Sequence, residues 1–335
     1  TFDEWLGESS YHDALPGVVE DLLSRGIARE DDGAICVFFN ELEGAPAELK
    51  KQKEPFIVRK RDGAFLYSTT DLATLLYRRD VFHADRSVYV VDVRQKLHFA
   101  QLFAVAASLG IEMRLDHVGF GTVLGADGKP LKTRDTTGKA VTLASLLDEA
   151  KARAAERIRE GISEGRLAIP EDEVPEVARS VGIGAVKYAD LSNNRLSDYR
   201  FDLDKMTSFV GNSGPYLQYA YARSRSILRK GSVDIAQLEQ SAVVELGHEA
   251  ELALARRLLR FSDVVHRAAE SYQPHLLCEH IYELAGAFNG FYQQCKVLDA
   301  ETPAMRESRL ALTHLVGRQV KKGLALLGID AVERM

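Results

Sequence analysis

The sequence predicts a parallel α/β unit followed by an all-α helical bundle. Short β-branched and aromatic runs alternate with apolar-faced helical patterns up to Gly138, and beyond that point one helical pattern follows another with no strand signal of comparable strength. Strand, helix, strand is the sequence signature of a parallel α/β unit, and consecutive amphipathic helices are that of a bundle.

The elements follow in order. Residues 15–26 place Val18, Val19, Leu22 and Leu23 on one helical face, and Gly26 ends it. Residues 34–39 (AICVFF) are a short apolar run, read as a strand. Residues 57–67 read as a hairpin turning at Asp62-Gly63, and 87–93 (SVYVVDV) as a buried strand. An apolar-faced helix over 98–109 stops at Gly110, and 114–124 reads as a strand entering a glycine-rich turn. Past Gly138, an Ala/Glu/Arg-rich helix covers 142–162, and further helical patterns cover 215–230, 249–271, 274–297 and 302–327. The stretch 190–206 (DLSNNRLSDYRFDLDKM) is too polar for a core helix and too aromatic for a plain linker.

A length of 335 residues leaves room for about two domains of roughly 150 each. With 46% hydrophobic and 27% charged residues the composition is that of a globular protein, which excludes disordered, collagenous and disulfide-scaffold classes. No apolar run approaches the roughly 20 residues of a membrane span. Cys36, Cys278 and Cys295 show no metal-ligand spacing and fit reduced thiols of a cytosolic protein. A net charge of −6 argues against a general electrostatic nucleic-acid binder but allows a local basic face. The opening TFDEWLGESS has neither region of a signal peptide, and the expectation is a C-terminal part of a longer protein.

Several residues could carry chemistry. Glycines in His117-Val118-Gly119-Phe120-Gly121, after a strand, would let backbone N–H groups approach a phosphate or an adenine ring, or form only a turn. Lys129, Lys132 and Arg134 lie within six residues of a Gly/Pro-containing stretch that opens at Gly128; three cations there suit a polyphosphate or solvent alone. Tyr67 and Asp71 are one helical turn apart, and Gln95 follows the 87–93 strand, where parallel sheets bind ligands. Asp71 would pair a cationic ligand, or act as an N-terminal helix acid. His98 and His117 lack metal-ligand spacing and read as packing or hydrogen-bonding residues. No Gly-x-Ser-x-Gly elbow, Cys/His dyad or Walker A loop is present, which argues against hydrolases and P-loop enzymes.

The segments WLGESS (5–10), DGAFLYSTTDLA (62–73), VVDVRQKLHFAQLF (90–103), HVGFG (117–121) and DGKPLKTRD (127–135) resemble the arginyl-tRNA synthetase family of class I aminoacyl-tRNA ligases. So do the 190–206 stretch, GNSGPYLQYAYARSR (211–225), FNGFYQQCKVL (288–298) and LLGIDAVERM (326–335). The resemblance implies the second half of a Rossmann-type catalytic domain with an insertion over 1–139. It implies a helical connector with a polar loop over 140–210 and a helical anticodon-binding domain over 211–335. The class's His-x-Gly-His signature is absent from this sequence, and its second, Lys-Met-Ser-Lys-Ser type signature has the degenerate form Leu131-Lys132-Thr133-Arg134.

By the same resemblance Glu8, Tyr67, Asp71 and Gln95 match arginine-binding positions, and His117, Gly119, Gly121 and Lys132 match ATP-binding ones. Lys132 and Arg134 match the catalytic loop that steadies the phosphate during adenylate formation. Tyr216, Tyr219, Tyr292 and Met335 match positions around the anticodon, where aromatic faces stack on splayed bases; each tyrosine also fits helix packing. The implied function is ATP-dependent attachment of arginine to tRNA(Arg), with Mg²⁺ brought by ATP, by a cytoplasmic monomer. The competing expectation is a non-catalytic tRNA-binding or scaffold paralogue that has lost the first ATP motif.

Overall fold

The computed structural model describes residues 2–125, 127–130 and 142–335. The chain forms two compact units, Thr1–Gly121 and Thr122–Met335.

In the first unit a 3₁₀ turn at Glu8–Ala14 leads into α1 (Leu15–Ser24). Strands β1 (Arg29–Asp31), β2 (Ala34–Val37) and β3 (Phe56–Arg59) form an antiparallel sheet in that order, with the short α2 (Ala47–Lys50) between β2 and β3. The hairpin lies at Asp32-Gly33, between β1 and β2, not at Asp62-Gly63. Asp32 and Gly33 both take positive φ, 48° and 80°, as a two-residue hairpin turn of type I′ requires. Past Asp62-Gly63 the expected hairpin shrinks to one bridge, Arg59 to Phe65, because Leu66 already caps α3 (Tyr67–Asp80).

After α3 come β4 (Arg86–Asp92), α4 (Lys96–Ser108) and β5 (Arg114–Phe120), a strand–helix–strand unit whose strands pair in parallel from Arg86–Arg114 to Asp92–Phe120. Leu22, Val37, Val58, Leu72, Leu75, Leu102 and Val105 make its buried core. The expectation of a fully buried strand at 87–93 is corrected. Ser87 and Tyr89 are buried, whereas Val88 and Val90 face out, Val90 with 65% exposure. A two-stranded sheet covered on one face buries alternate side chains only.

The second unit opens with β6 (Val123–Leu124), which pairs in parallel with β7 (Tyr199–Arg200); Thr122 N–H donates to Asp198 Oδ1 at 2.7 Å beside it. α5 (Leu143–Ser163) starts at a reciprocal cap in which Thr142 and Ser145 bond each other's backbone N–H. α6 (Val174–Leu191) was not foreseen, though Val174, Val177, Ala178, Val181, Ala185 and Tyr188 repeat with helical spacing on its buried face. It approaches α5 so closely that a Cβ at Gly182 would lie 2.7 Å from the Ala150 carbonyl. The polar stretch 190–206 closes α6, supplies β7 and forms the short α7 (Leu203–Met206).

Then come α8 (Gly214–Lys230), α9 (Ile235–Ser241), α10 (Glu249–Leu259), α11 (Phe261–Ser271), α12 (Pro274–Gln294) and α13 (Pro303–Leu326). The single helix expected over 249–271 is interrupted at Arg260; nearby, Gln319 Nε2 donates to the Leu258 carbonyl at 2.9 Å. Tyr188, Leu217, Ile281, Phe288, Phe291 and Val316 anchor the main core, and Ala154, Ile158, Val174 and Val181 a second one between α5 and α6. One ion pair is almost wholly buried: Arg309 Nε bonds Glu251 Oε1 at 2.7 Å, while Oε2 accepts the N–H groups of Gly247 and His248 at 2.8 and 2.9 Å. Cys36, Cys278 and Cys295 are free and buried; burial raises all three thiols, Cys278 to about 12. No helix among the described residues is long and apolar enough to cross a membrane.

Candidate functional site

In the first unit, the opening turns of α3 and α4 meet. Tyr67 begins α3 and is 70% exposed; Asp71 lies one turn on. Asp71 Oδ2 is 2.6 Å from His98 Nε2 in the first turn of α4, and Gln95 is the N-cap residue of that helix. An ionised carboxylate only accepts, so the Nε2 carries the shared proton. The contact orients the carboxylate and leaves Oδ1 and the outer lone pair of Oδ2 for a second donor. His98 packs edge-on to Phe99 at 5.2 Å, and Phe99 stacks flat on His117 of β5 at 5.1 Å. A line of contacts thus joins Asp71 to the expected adenosine strand. Gly119 is held close to the turn before α4: a Cβ there would lie 3.1 Å from Val93 Cα. Gly121 ends this unit. Glu8 is exposed at the start of the 3₁₀ turn, which is tied to α3 by Tyr11 against Tyr77 at 5.6 Å.

His98, read from the sequence as a packing or hydrogen-bonding residue, makes that hydrogen bond to a residue expected in the site. Its signal was present: it follows Gln95 by three, on the same face of a helix that starts between them.

In the second unit, three of the four expected anticodon residues share one cluster. Tyr216 OH accepts from Asn289 Nδ2 at 2.8 Å, and Tyr219 OH accepts from Arg223 Nη2 at 2.9 Å. Arg223 donates to Asn289 Oδ1 at 2.8 Å and lies over the rings of Tyr219 and Tyr292, 4.7 and 6.0 Å from their centres. Tyr292 is 45% exposed, whereas burial pushes the Tyr216 hydroxyl up. Met335 packs with Tyr219 against the α5–α6 core. Arg223 and Asn289 organise this cluster. Several surface cations nearby are bound by acids of the same chain: Arg225 and Lys321 by Glu333 at 2.9 and 3.3 Å, and Arg318 by Glu239 at 3.0 Å.

Lys132 and Arg134 lie outside the described residues. Before them in the chain, Gly128 takes φ 73° and Gly125 N–H donates to the Lys129 carbonyl at 2.8 Å.

An α/β unit with a carboxylate oriented by a histidine, followed by a helical bundle with a tyrosine cluster, is compatible with a class I aminoacyl-tRNA synthetase catalytic domain and its anticodon-binding domain. Residues 1–203 match the family described as tRNA synthetases class I (R), catalytic domain, and residues 217–335 match the DALR anticodon binding domain. The chain belongs to the class I arginyl-tRNA synthetase family. It is 48% identical over 338 residues to an arginine–tRNA ligase of Azotobacter vinelandii, with all of this chain and 56% of the relative covered. The fold superposes on arginyl-tRNA synthetases of Plasmodium falciparum (TM-score 0.81, 29% identity, 99% of this chain and 54% of that one) and Thermus thermophilus (0.80, 26%, 96% and 59%). The chain therefore spans about half the length of the relatives it matches.

Proposed function

We propose that the chain serves ATP-dependent ligation of arginine to tRNA(Arg), carrying the arginine-recognition wall, the phosphate loop and the anticodon face. The Asp71–His98 pair beside Tyr67 and Gln95 carries this reading. A guanidinium is a planar fork of donors that suits an oriented carboxylate, and His98 supplies the orientation. Tyr67 covers the ligand, Gln95 fixes its direction, and Glu8 adds negative charge for the cationic amino acid. His117, Gly119 and Gly121 border the adenosine, and Lys132 with Arg134 stabilises the phosphates.

The arginine carboxylate attacks the α-phosphate of ATP; pyrophosphate leaves with its Mg²⁺, and an acyl-adenylate forms. A terminal ribose hydroxyl of tRNA then attacks the activated carbonyl, loses its proton and displaces AMP. No covalent enzyme intermediate is needed, so the protein contributes positioning and charge. Mg²⁺ enters as part of the nucleotide substrate, held by phosphate oxygens and water.

The test is calorimetric titration with arginine and with citrulline, its neutral isostere. Arginine is expected to bind at least tenfold tighter, because only the guanidinium cation pairs with Asp71. Equal affinities would refute the assigned pocket. The alternative is a tRNA-binding protein without ligase activity. It requires RNA binding with no arginine binding.

A further inference from the structure

The helical unit has a second polar cavity, in the cleft between α10–α11 and the N-terminal half of α12. It encloses about 200 Å³, below the roughly 300 Å³ of pockets that take drug-sized molecules, so its occupant is small or a single group of a larger ligand. Its lining is mostly charged: Arg257, Arg260 and Arg267 against Glu279 and Glu283. Glu283 pairs with Arg257, which leaves Arg260 and Arg267 against Glu279 alone, a net positive charge of one. These two are seven residues apart, two helical turns, and so share one face of α11. The break at Arg260 sets the first of them at the mouth of that face.

A second, independent observation lies at the same place. His280 borders the cavity, is only 3% exposed, and its Nε2 has no hydrogen-bond partner among the described residues. Buried polar atoms are nearly always partnered, so an orphan beside a cationic cleft marks a place for an acceptor. Burial and the charges of Arg257 and Arg260 push the His280 imidazole below the usual histidine range, which keeps it neutral and able to donate one N–H bond.

We propose that this cleft is a phosphate site, in which Arg260 and Arg267 grip the oxygens and His280 Nε2–H donates to one of them. Guanidinium forks match phosphate oxygens bidentately, and a partly closed cleft strengthens each bond. The phosphate is either a free ion or one group of an RNA backbone; the second source rests on the tRNA reading above.

The whole chain is titrated with inorganic phosphate and, separately, with an RNA stem-loop bearing an arginine anticodon. Phosphate is expected to shift the ring resonances of His280 saturably in the unaltered chain and to leave them unmoved in the R260A/R267A variant. If RNA is the source, that variant binds the stem-loop about tenfold more weakly. Its salt dependence is then shallower by about 0.7–0.9 in log–log slope, as one lost phosphate contact requires. The R260K/R267K variant, which keeps the charge but loses the fork, should recover only part of the affinity and so separates lost charge from misfolding. A phosphate response with unchanged RNA binding identifies a free-ion site. A stem-loop that fails to bind the unaltered chain refutes the tRNA reading, while the phosphate arm still decides the cleft. Unmoved His280 resonances together with unchanged RNA affinity and salt slope overturn the proposal.

Discussion

The two units place their candidate residues differently. In the α/β unit they stand on exposed first turns: Tyr67 and Gln95 reach solvent, and Asp71 holds one partner, His98. In the helical unit they are built into the fold: Tyr216, Tyr219 and Tyr292 are bridged by Arg223 and Asn289, and the C-terminal tail is clamped through Glu333 by Arg225 and Lys321. A small, charged ligand is recognised by groups kept available and oriented. A macromolecular surface is instead a shape, and its aromatic face must be rigid before the partner arrives. Substitutions should therefore separate function from stability in the first unit and couple them in the second.

The largest expected effect breaks the chemistry of the α/β unit altogether. The chain alone should give no measurable arginine-dependent ATP–pyrophosphate exchange, because the His-x-Gly-His signature is absent from it. Turnover in the ordinary enzyme range, roughly 1–1,000 s⁻¹, would overturn this.

In the helical unit, Arg309→Met should cost about 3–5 kcal/mol, since it leaves the Glu251 carboxylate buried without its partner. Hydrogen exchange should show the loss in α10, α12 and α13 and leave the α/β unit unchanged. Acid titrates the same contact. Burial pushes the Glu251 carboxyl up, but Arg309 and the N–H groups of His248 and Gly247 outweigh it and hold the group below its usual 4.5. A depressed folded value means stability that is present above about pH 4.5 and lost as pH falls through the folded value. The stability gap between parent and variant should therefore narrow from pH 7 to pH 3, as urea unfolding would report.

Asp71→Asn should weaken arginine binding by about 2–5 kcal/mol with ATP affinity and stability nearly unmoved. His98→Ala, which removes only the orientation, should cost about 1 kcal/mol of the same binding. Equal losses for arginine and ATP would assign Asp71 to the fold instead. In the helical unit, Tyr292→Ala should cost about 1–3 kcal/mol of stem-loop affinity if one base stacks on the ring. An RNA with an unrelated anticodon binding as well as the cognate one, to parent and variant alike, would remove the anticodon face.

Much of this was legible because local chemistry decides it. Thr142 and Thr302 announce helix starts by their capping side chains, and Gly26 and Gly110 announce helix ends. What escaped was set by residues distant in the chain. No Gly or Pro near Arg260 marks the interruption of the 249–271 helix, and the Leu258 carbonyl is contacted there by Gln319 of α13. Asp62-Gly63 and Asp32-Gly33 are the same dipeptide, and only the helix starting at Tyr67 denies the first a full hairpin. The outward turn of Val88 and Val90 depends on which strands pair, not on the run SVYVVDV. The tyrosines of the candidate face could be read by resemblance, whereas the bridging of α8 to α12 by Arg223 and Asn289 is a contact across 66 residues.

The three buried thiols have a practical consequence. A thiolate reacts and a thiol hardly does, and burial holds Cys36, Cys278 and Cys295 in the thiol form with raised values. The natural chain is thus a quiet background for sulfhydryl reagents. Cysteines introduced at exposed positions, Lys53 in the first unit and Asp204 in the second, would take fluorophores or spin labels almost alone. The distance between the two units could then be followed in solution without first stripping the protein of its own cysteines.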